Sequence, residues 1–208
     1  GSGSIASSSQ VNVANAAGIF DISGTTAGAS ITTLNGVASS QVALGAKTLT
    51  ITNGSTTYAG IIGGTSGGLT LNSGTQTLSG ANAYTGTTTI NGATLALSGS
   101  GSIASSSLVS VFGTFDIAGT TAGSSITTLF GSGNVTLGSQ TLTISNGGTT
   151  HSGAIGGTGG VTLNFGTQTL SGLNTYTGAT TINNGTLALS GSGSIASSSQ
   201  VNVANAAG

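Results

Sequence analysis

Four side chains among the 208 residues offer acid, base or cationic chemistry: Asp21, Asp116, Lys47 and His151. General acid–base catalysis needs two such groups within reach of one substrate, and a carboxylate pair needs a separation of about 5 to 9.5 Å. Asp21 and Asp116 sit in matching triplets, Phe20-Asp21-Ile22 and Phe115-Asp116-Ile117. In a stacked-coil chain with a rise of ~4.8 Å per coil they fall four or five coils apart, roughly 19 to 24 Å. That is too far for cooperation. The apolar members of each triplet share one face, so both carboxylates are expected to point outward. His151 aligns with Tyr58 of an earlier segment and Lys47 with Gln140 of a later one, so neither marks a recurring site. His151 reads as a surface or half-buried replacement for an aromatic. The runs Ser7-Ser8-Ser9 and Ser105-Ser106-Ser107 have no His base nearby to activate a nucleophile. They read as turn or ladder residues. No catalytic residue is expected, and the chain is not expected to be an enzyme.

Ligand chemistry is equally thin. The chain has no Cys, which excludes a disulfide framework and thiolate metal sites. Gly156-Gly157-Thr158-Gly159-Gly160-Val161 has the glycine spacing of a calcium-binding roll. Val161 stands where the ligand Asp belongs, and calcium requires several oxygen ligands. Gly45-Ala46-Lys47-Thr48 lacks the two glycines a phosphate loop needs. No metal and no cofactor is expected. With Lys and Arg totalling one, the chain cannot displace counterions from phosphates, so no nucleic-acid partner is expected. Mean hydropathy is +0.35, yet no run approaches the ~18 to 20 apolar residues of a spanning helix. No membrane span is expected in this segment. A basic stretch leading into an apolar run is also missing, as is an initial Met, so the chain reads as an internal piece of something longer.

The elements that must hold these residues are written in the repeats. Charged residues are 1% of the chain against the usual ~25%, while Gly, Ser and Thr exceed half of it. Residues 1–18 recur unchanged at 191–208, and GSGSIASSS also begins at Gly99. This divides the chain into unit A (1–98), unit B (99–190) and the start of a next unit (191–208). Identical segments in a stacked array are expected to share one backbone conformation and one environment. Short segments with apolar residues two apart recur: Val42-Ala43-Leu44, Leu69-Thr70-Leu71, Leu95-Ala96-Leu97, Phe115-Asp116-Ile117 and Val135-Thr136-Leu137. Their starts, at positions 42, 69, 95, 115 and 135, are spaced by 27, 26, 20 and 20. Period-2 alternation, turn pairs such as Asn53-Gly54 and the absence of a 3.6 period predict strands without helices. The expected fold is an all-β parallel solenoid, with about four to five coils per 92–98-residue repeat. The apolar pairs named above are expected to point into its core.

Residues 78–95, LSGANAYTGTTTINGATL, and 170–187, LSGLNTYTGATTINNGTL, share Asn, Tyr and Gly at fixed offsets. These are Asn82, Tyr84 and Gly86, and again Asn174, Tyr176 and Gly178. The two segments resemble the autotransporter passenger-associated β-strand repeat. The resemblance implies a right-handed parallel β-helix, exported through an outer-membrane barrel and displayed or released outside the cell. The paired Tyr residues read as packing at a coil corner, since isolated aromatics do not form a carbohydrate groove.

The expected role is structural or adhesive: a β-solenoid segment of a surface-displayed passenger or fibre, serving as stalk, matrix or biofilm component. The expected place is extracellular or on the surface of a bacterium with an outer membrane. The expected partner is the chain itself, by tandem continuation and lateral self-association, with a glycan or surface contact as a further candidate. The alternative is a binding module with a Thr-rich face that orders ice or holds a glycan. Thr-x-Thr triplets begin at Thr48, Thr75, Thr87, Thr141 and Thr167. The first three starts are spaced by 27 and then by 12, which does not predict one uninterrupted file.

Overall fold

The computed structural model describes Ile5 and residues 7–204. The chain winds as a parallel β-solenoid of about ten turns, with no helix among the described residues. Strands here are mostly three or four residues long, because Val, Ile, Leu and Thr alternate only briefly before Gly, Asn or Ser forces a corner.

Three short strands make each of the first three turns, and in the next two the second side is a corner without a strand. In unit A the first side carries Val11–Val13, Leu34–Gly36, Thr57–Tyr58, Thr75–Leu78 and Thr94–Gly99, stacked in parallel. The second carries Ile19–Asp21, Gln41–Ala43 and Ile61–Gly63. The third carries Ala29–Ile31, Thr48–Ile51, Gly68–Leu71 and Thr88–Ile90. Residues in register lie from 18 (Ile126 and Ile144) to 23 (Val13 and Gly36) positions apart. The sequence spacings of 27 and 26 therefore exceed one turn: Val42, Leu69 and Leu95 lie on three different sides.

The core is a set of apolar columns. Ile31, Ile51, Leu71, Ile90 and Val111 stack one above another, each fully buried. Both apolar members of all five alternating segments are buried, from Val42 and Leu44 to Val135 and Leu137. Burial of one such side chain contributes about 1.5–3 kcal/mol. One coil holds only a few of them, so stability accumulates by stacking.

Two expectations about stacking need correction. Asp21 pairs in register with Ala43, on the three-stranded side, whereas Asp116 pairs with Ala96 and Thr136 in the eight-stranded sheet. They occupy equivalent sequence positions but different sides of the solenoid. The duplicated ends also differ. Val11–Val13 and Val201–Val203 are both strands, but the first pairs with Leu34–Gly36 and the second with Thr180–Ile182, in separate sheets. Residues 1–4, 6 and 205–208 of those ends lie outside the described residues. The cause is arithmetic: neither unit contains a whole number of such coils.

Candidate functional site

The Asn, Tyr and Gly picked out by the sequence form one internal corner. Asn82 precedes the turn that leads into Thr88–Ile90, and its side chain is buried. Its Oδ1 accepts the Ile62 amide at 2.9 Å, while Nδ2 donates to the carbonyls of Gly80 and Ser102, both at 3.0 Å. One side chain thus ties three successive coils. Tyr84 is 1% exposed, and its Oη lies 2.7 Å from Thr88 Oγ1. Thr88 donates in turn to Ser106 Oγ at 2.9 Å, and Ser106 donates to the Gly86 carbonyl at 2.9 Å. A chain of hydroxyls that starts at the motif tyrosine therefore ends at the motif glycine. Burial holds the Tyr84 phenol well above its ordinary pKa, with the bond to Thr88 opposing in part. Gly86 has no room for a side chain, because a Cβ there would run into the Gly67 carbonyl.

The second corner repeats the first. Asn174 accepts the Ile155 amide at 3.0 Å and donates to Gly172 and Ser194. Tyr176 meets Thr180 at 2.6 Å, Thr180 meets Ser198 at 3.0 Å, and Ser198 donates to Gly178 at 2.9 Å. A Cβ on Gly178 would lie 2.5 Å from the Gly159 carbonyl. These polar side chains face inward and are spent on the backbone, leaving no donor or acceptor directed at a ligand.

Sequence reasoning missed two further internal groups. Gln76 and Gln168 are fully buried, although each is the polar middle residue of a Thr-x-Thr triplet. Gln76 Nε2 donates to the carbonyls of Leu34, Thr56 and Thr77, and Gln168 Nε2 to those of Leu129, Thr149 and Thr169. The signal was available: Gln76 and Leu78 are two apart, so the alternation that buries one buries the other. His151 is also fully buried, against the expectation of a surface or half-buried position. It stacks between Gly131 and Leu170, and neither ring nitrogen has a hydrogen-bond partner. Desolvation lowers its pKa from 6.5 to about 4, while the nearby backbone of Phe130 and Gly131 offsets part of that.

The remaining titratable groups are scattered. Asp21 is exposed and is held below the usual carboxylate range by hydrogen bonds from Ser23. Asp116 accepts the Ala118 amide. Lys47 lies in the turn just before Thr48–Ile51, rather than within a strand, and donates to the Thr26 carbonyl at 3.2 Å. Val161, at the calcium-roll position, is part of the core. A surface groove of about 250 Å³ is lined by Gly99–Ser102 and Thr121–Ser125, none of them titratable.

The Thr-x-Thr triplets do not make one file, since Thr50 and Thr89 stand on one side and Thr77 on another, but an outward Ser/Thr ladder not foreseen from the sequence runs through each unit. Ser30, Thr50, Thr70 and Thr89 stack in register, and Ser125, Thr143, Thr162 and Thr181 repeat the pattern in unit B. The ladder is one residue wide: the neighbouring positions Thr48 and Gly68, or Thr52 and Asn72, do not keep Thr from coil to coil.

Comparison with curated proteins gave no match, and neither did comparison with solved structures. The family model described as Passenger-associated-transport-repeat matches residues 71–97 and 165–189, about a quarter of the chain. The two internal corners built on Asn82, Tyr84, Gly86 and on Asn174, Tyr176, Gly178 thus fall within the two segments that match the passenger-associated transport repeat.

Proposed function

We propose that the chain is a structural segment of an extracellular passenger or fibre, right-handed, with four to five coils per repeat. The observation that carries this reading is the use of the polar side chains: at both passenger-type corners they satisfy the backbone of neighbouring coils. The positions of Asp21 and Asp116 on different sides, of Lys47 on the Thr26 carbonyl and of His151 in the core support a non-enzymatic role. Right-handedness rests on the strong general preference of parallel crossover connections. The passenger-type repeats support a place outside a bacterium with an outer membrane. A surface with a net charge of −1 supports lateral contact between copies, because little electrostatic repulsion separates them.

Electron microscopy of the native material tests this. Filaments about one solenoid wide, alone or bundled, are the expected result. A compact, dispersed particle with hydrolytic activity on any surface glycan is the result that sinks the reading. The Ser30–Thr89 ladder favours one rival, an ice- or glycan-binding face. Thermal hysteresis separates the two, and the one-residue width of the ladder leads us to expect none.

A further inference from the structure

The sequence repeat and the coil are out of step, and this determines where each unit shows its surface. Val13, Gly36, Tyr58, Leu78 and Leu97 stand in one column, four steps tall. The counterpart of Val13 in unit B is Val111. It follows Leu97 by only about two-thirds of the step that separates Thr57 from Thr77, its partner one coil on. Val111 accordingly leaves that column and stacks on Ile90, on the neighbouring side.

The next junction does the same. The strand Val109–Val111 of unit B sets Val109, Ser110 and Val111 on Thr88, Thr89 and Ile90. The matching strand of the following copy sets Val201, Asn202 and Val203 on Thr180, Thr181 and Ile182, which are the counterparts of those residues. The column Asn12, Asn35, Thr57, Thr77 and Ala96, which alternates with core positions, reappears as Ser110 (itself only 7% exposed), Phe130, Thr150, Thr169 and Ala188, now above the Ser30–Thr89 ladder. In its old place stand Asp116, Thr136 and Gly156.

We infer that each unit spans about four and two-thirds turns, so that successive units present the same surface on successive sides, and that further copies of this chain pack against all three sides. The inference rests on the structural reading above and concerns how its lateral contacts are distributed. Three units bring every surface column back to its starting side. An in-step repeat would give one adhesive side and filaments joined only in pairs. The out-of-step repeat gives three equivalent sides and bundles that grow in two directions. The features carried round are mostly uncharged: Thr, Ser and Asn columns, one carboxylate per unit (Asp21, then Asp116), and in unit B the exposed rings of Phe112 and Phe130, packed edge to face at 5.9 Å. Unit A holds Ala14 and Asn35 at those two positions.

The chain has no cysteine, so engineered pairs report register without ambiguity. Outward residues in register on adjacent strands are within disulfide reach. The pair T89C/S110C is expected to close an intramolecular disulfide under mild oxidation. The pair A96C/S110C, which would be in register only if unit B began above unit A, is expected to stay reduced. The reverse result overturns the inference. Sections through native bundles provide the second readout, with filaments contacted on three sides expected. Filaments joined only in pairs along one side overturn the inference and leave the structural reading standing, while dispersed monomers overturn both.

Discussion

Acid should weaken this solenoid through one side chain. His151 is fully buried, both ring nitrogens lack partners, and its folded-state pKa is about 4 against 6.5 when exposed. The depressed value means that the folded state holds the neutral ring, so its stability is intact above pH 6.5. That stability is lost as pH falls from 6.5 toward 4. A full shift of this size corresponds to about 3.4 kcal/mol, and at pH 4.5 linkage gives a loss of about 2.5 kcal/mol. His151 is the chain's one histidine, the side-chain type whose ordinary pKa places its charge change between about pH 5 and 8. Guanidinium unfolding followed by circular dichroism at pH 7 and 4.5 measures the difference. The control is His151→Phe, which keeps a ring and removes both nitrogens, and its stability should be nearly flat over that range. An unchanged midpoint in the parent protein refutes the reasoning, as does an equal acid loss in the Phe variant.

The internal amides should differ in cost. Asn174→Ala strands the buried Ile155 amide, whereas Gly172 and Ser194 keep backbone donors, so a loss of about 2 kcal/mol or more is expected in urea unfolding. Gln168→Leu should cost less than about 1 kcal/mol in the same assay. Leu129 still accepts from the Thr149 hydroxyl and Thr149 from the Thr169 amide, while the unpartnered Gln168 Oε1 disappears. Trypsin has one site, after Lys47, whose amide and carbonyl are bonded to Leu44 and Gly68. The folded chain should survive prolonged digestion that cuts the denatured chain once, as read by gel and mass.

The alternating segments were legible because a strand's period is two, and Leu69 with Leu71 or Phe115 with Ile117 declares its buried face at once. Residue type misled where polarity and period disagreed. Gln76 and Gln168 obey the period and sit inside, and the Leu34 and Leu129 carbonyls two coils away, which make that tolerable, are invisible in a linear string. His151 follows the same rule: it inherits the buried position of Tyr58, and the column sets its depth. Stacking was the least legible link. Triplet starts at 48, 75 and 87 predicted no single file of triplets, and Thr77 does stand on another side; the one-residue file of Ser30, Thr50, Thr70 and Thr89 was not legible, because Thr70 belongs to no triplet. Coil length is set by corners, whose small deletions shift register without changing composition.

A chain with so little charge and so few large apolar groups per coil needs another way to hold its corners. The hydroxyl chains supply it, and they also bind unit to unit. Tyr84 and Thr88 belong to unit A, while Ser106, which closes the chain onto Gly86, belongs to the opening GSGSIASSS of unit B. At the next junction Tyr176 and Thr180 are completed in the same way by Ser198. Asn82 likewise donates to Ser102, and Asn174 to Ser194, across the same boundaries. A cut between residues 98 and 99 would deprive Thr88 of the Ser106 hydroxyl and Asn82 of one of its carbonyls, both at buried positions. Each passenger-type corner is therefore finished by the segment that follows it. The repeat behaves as one stretch of a continuous rod rather than as a closed domain, and stability should spread along that rod by nearest-neighbour coupling.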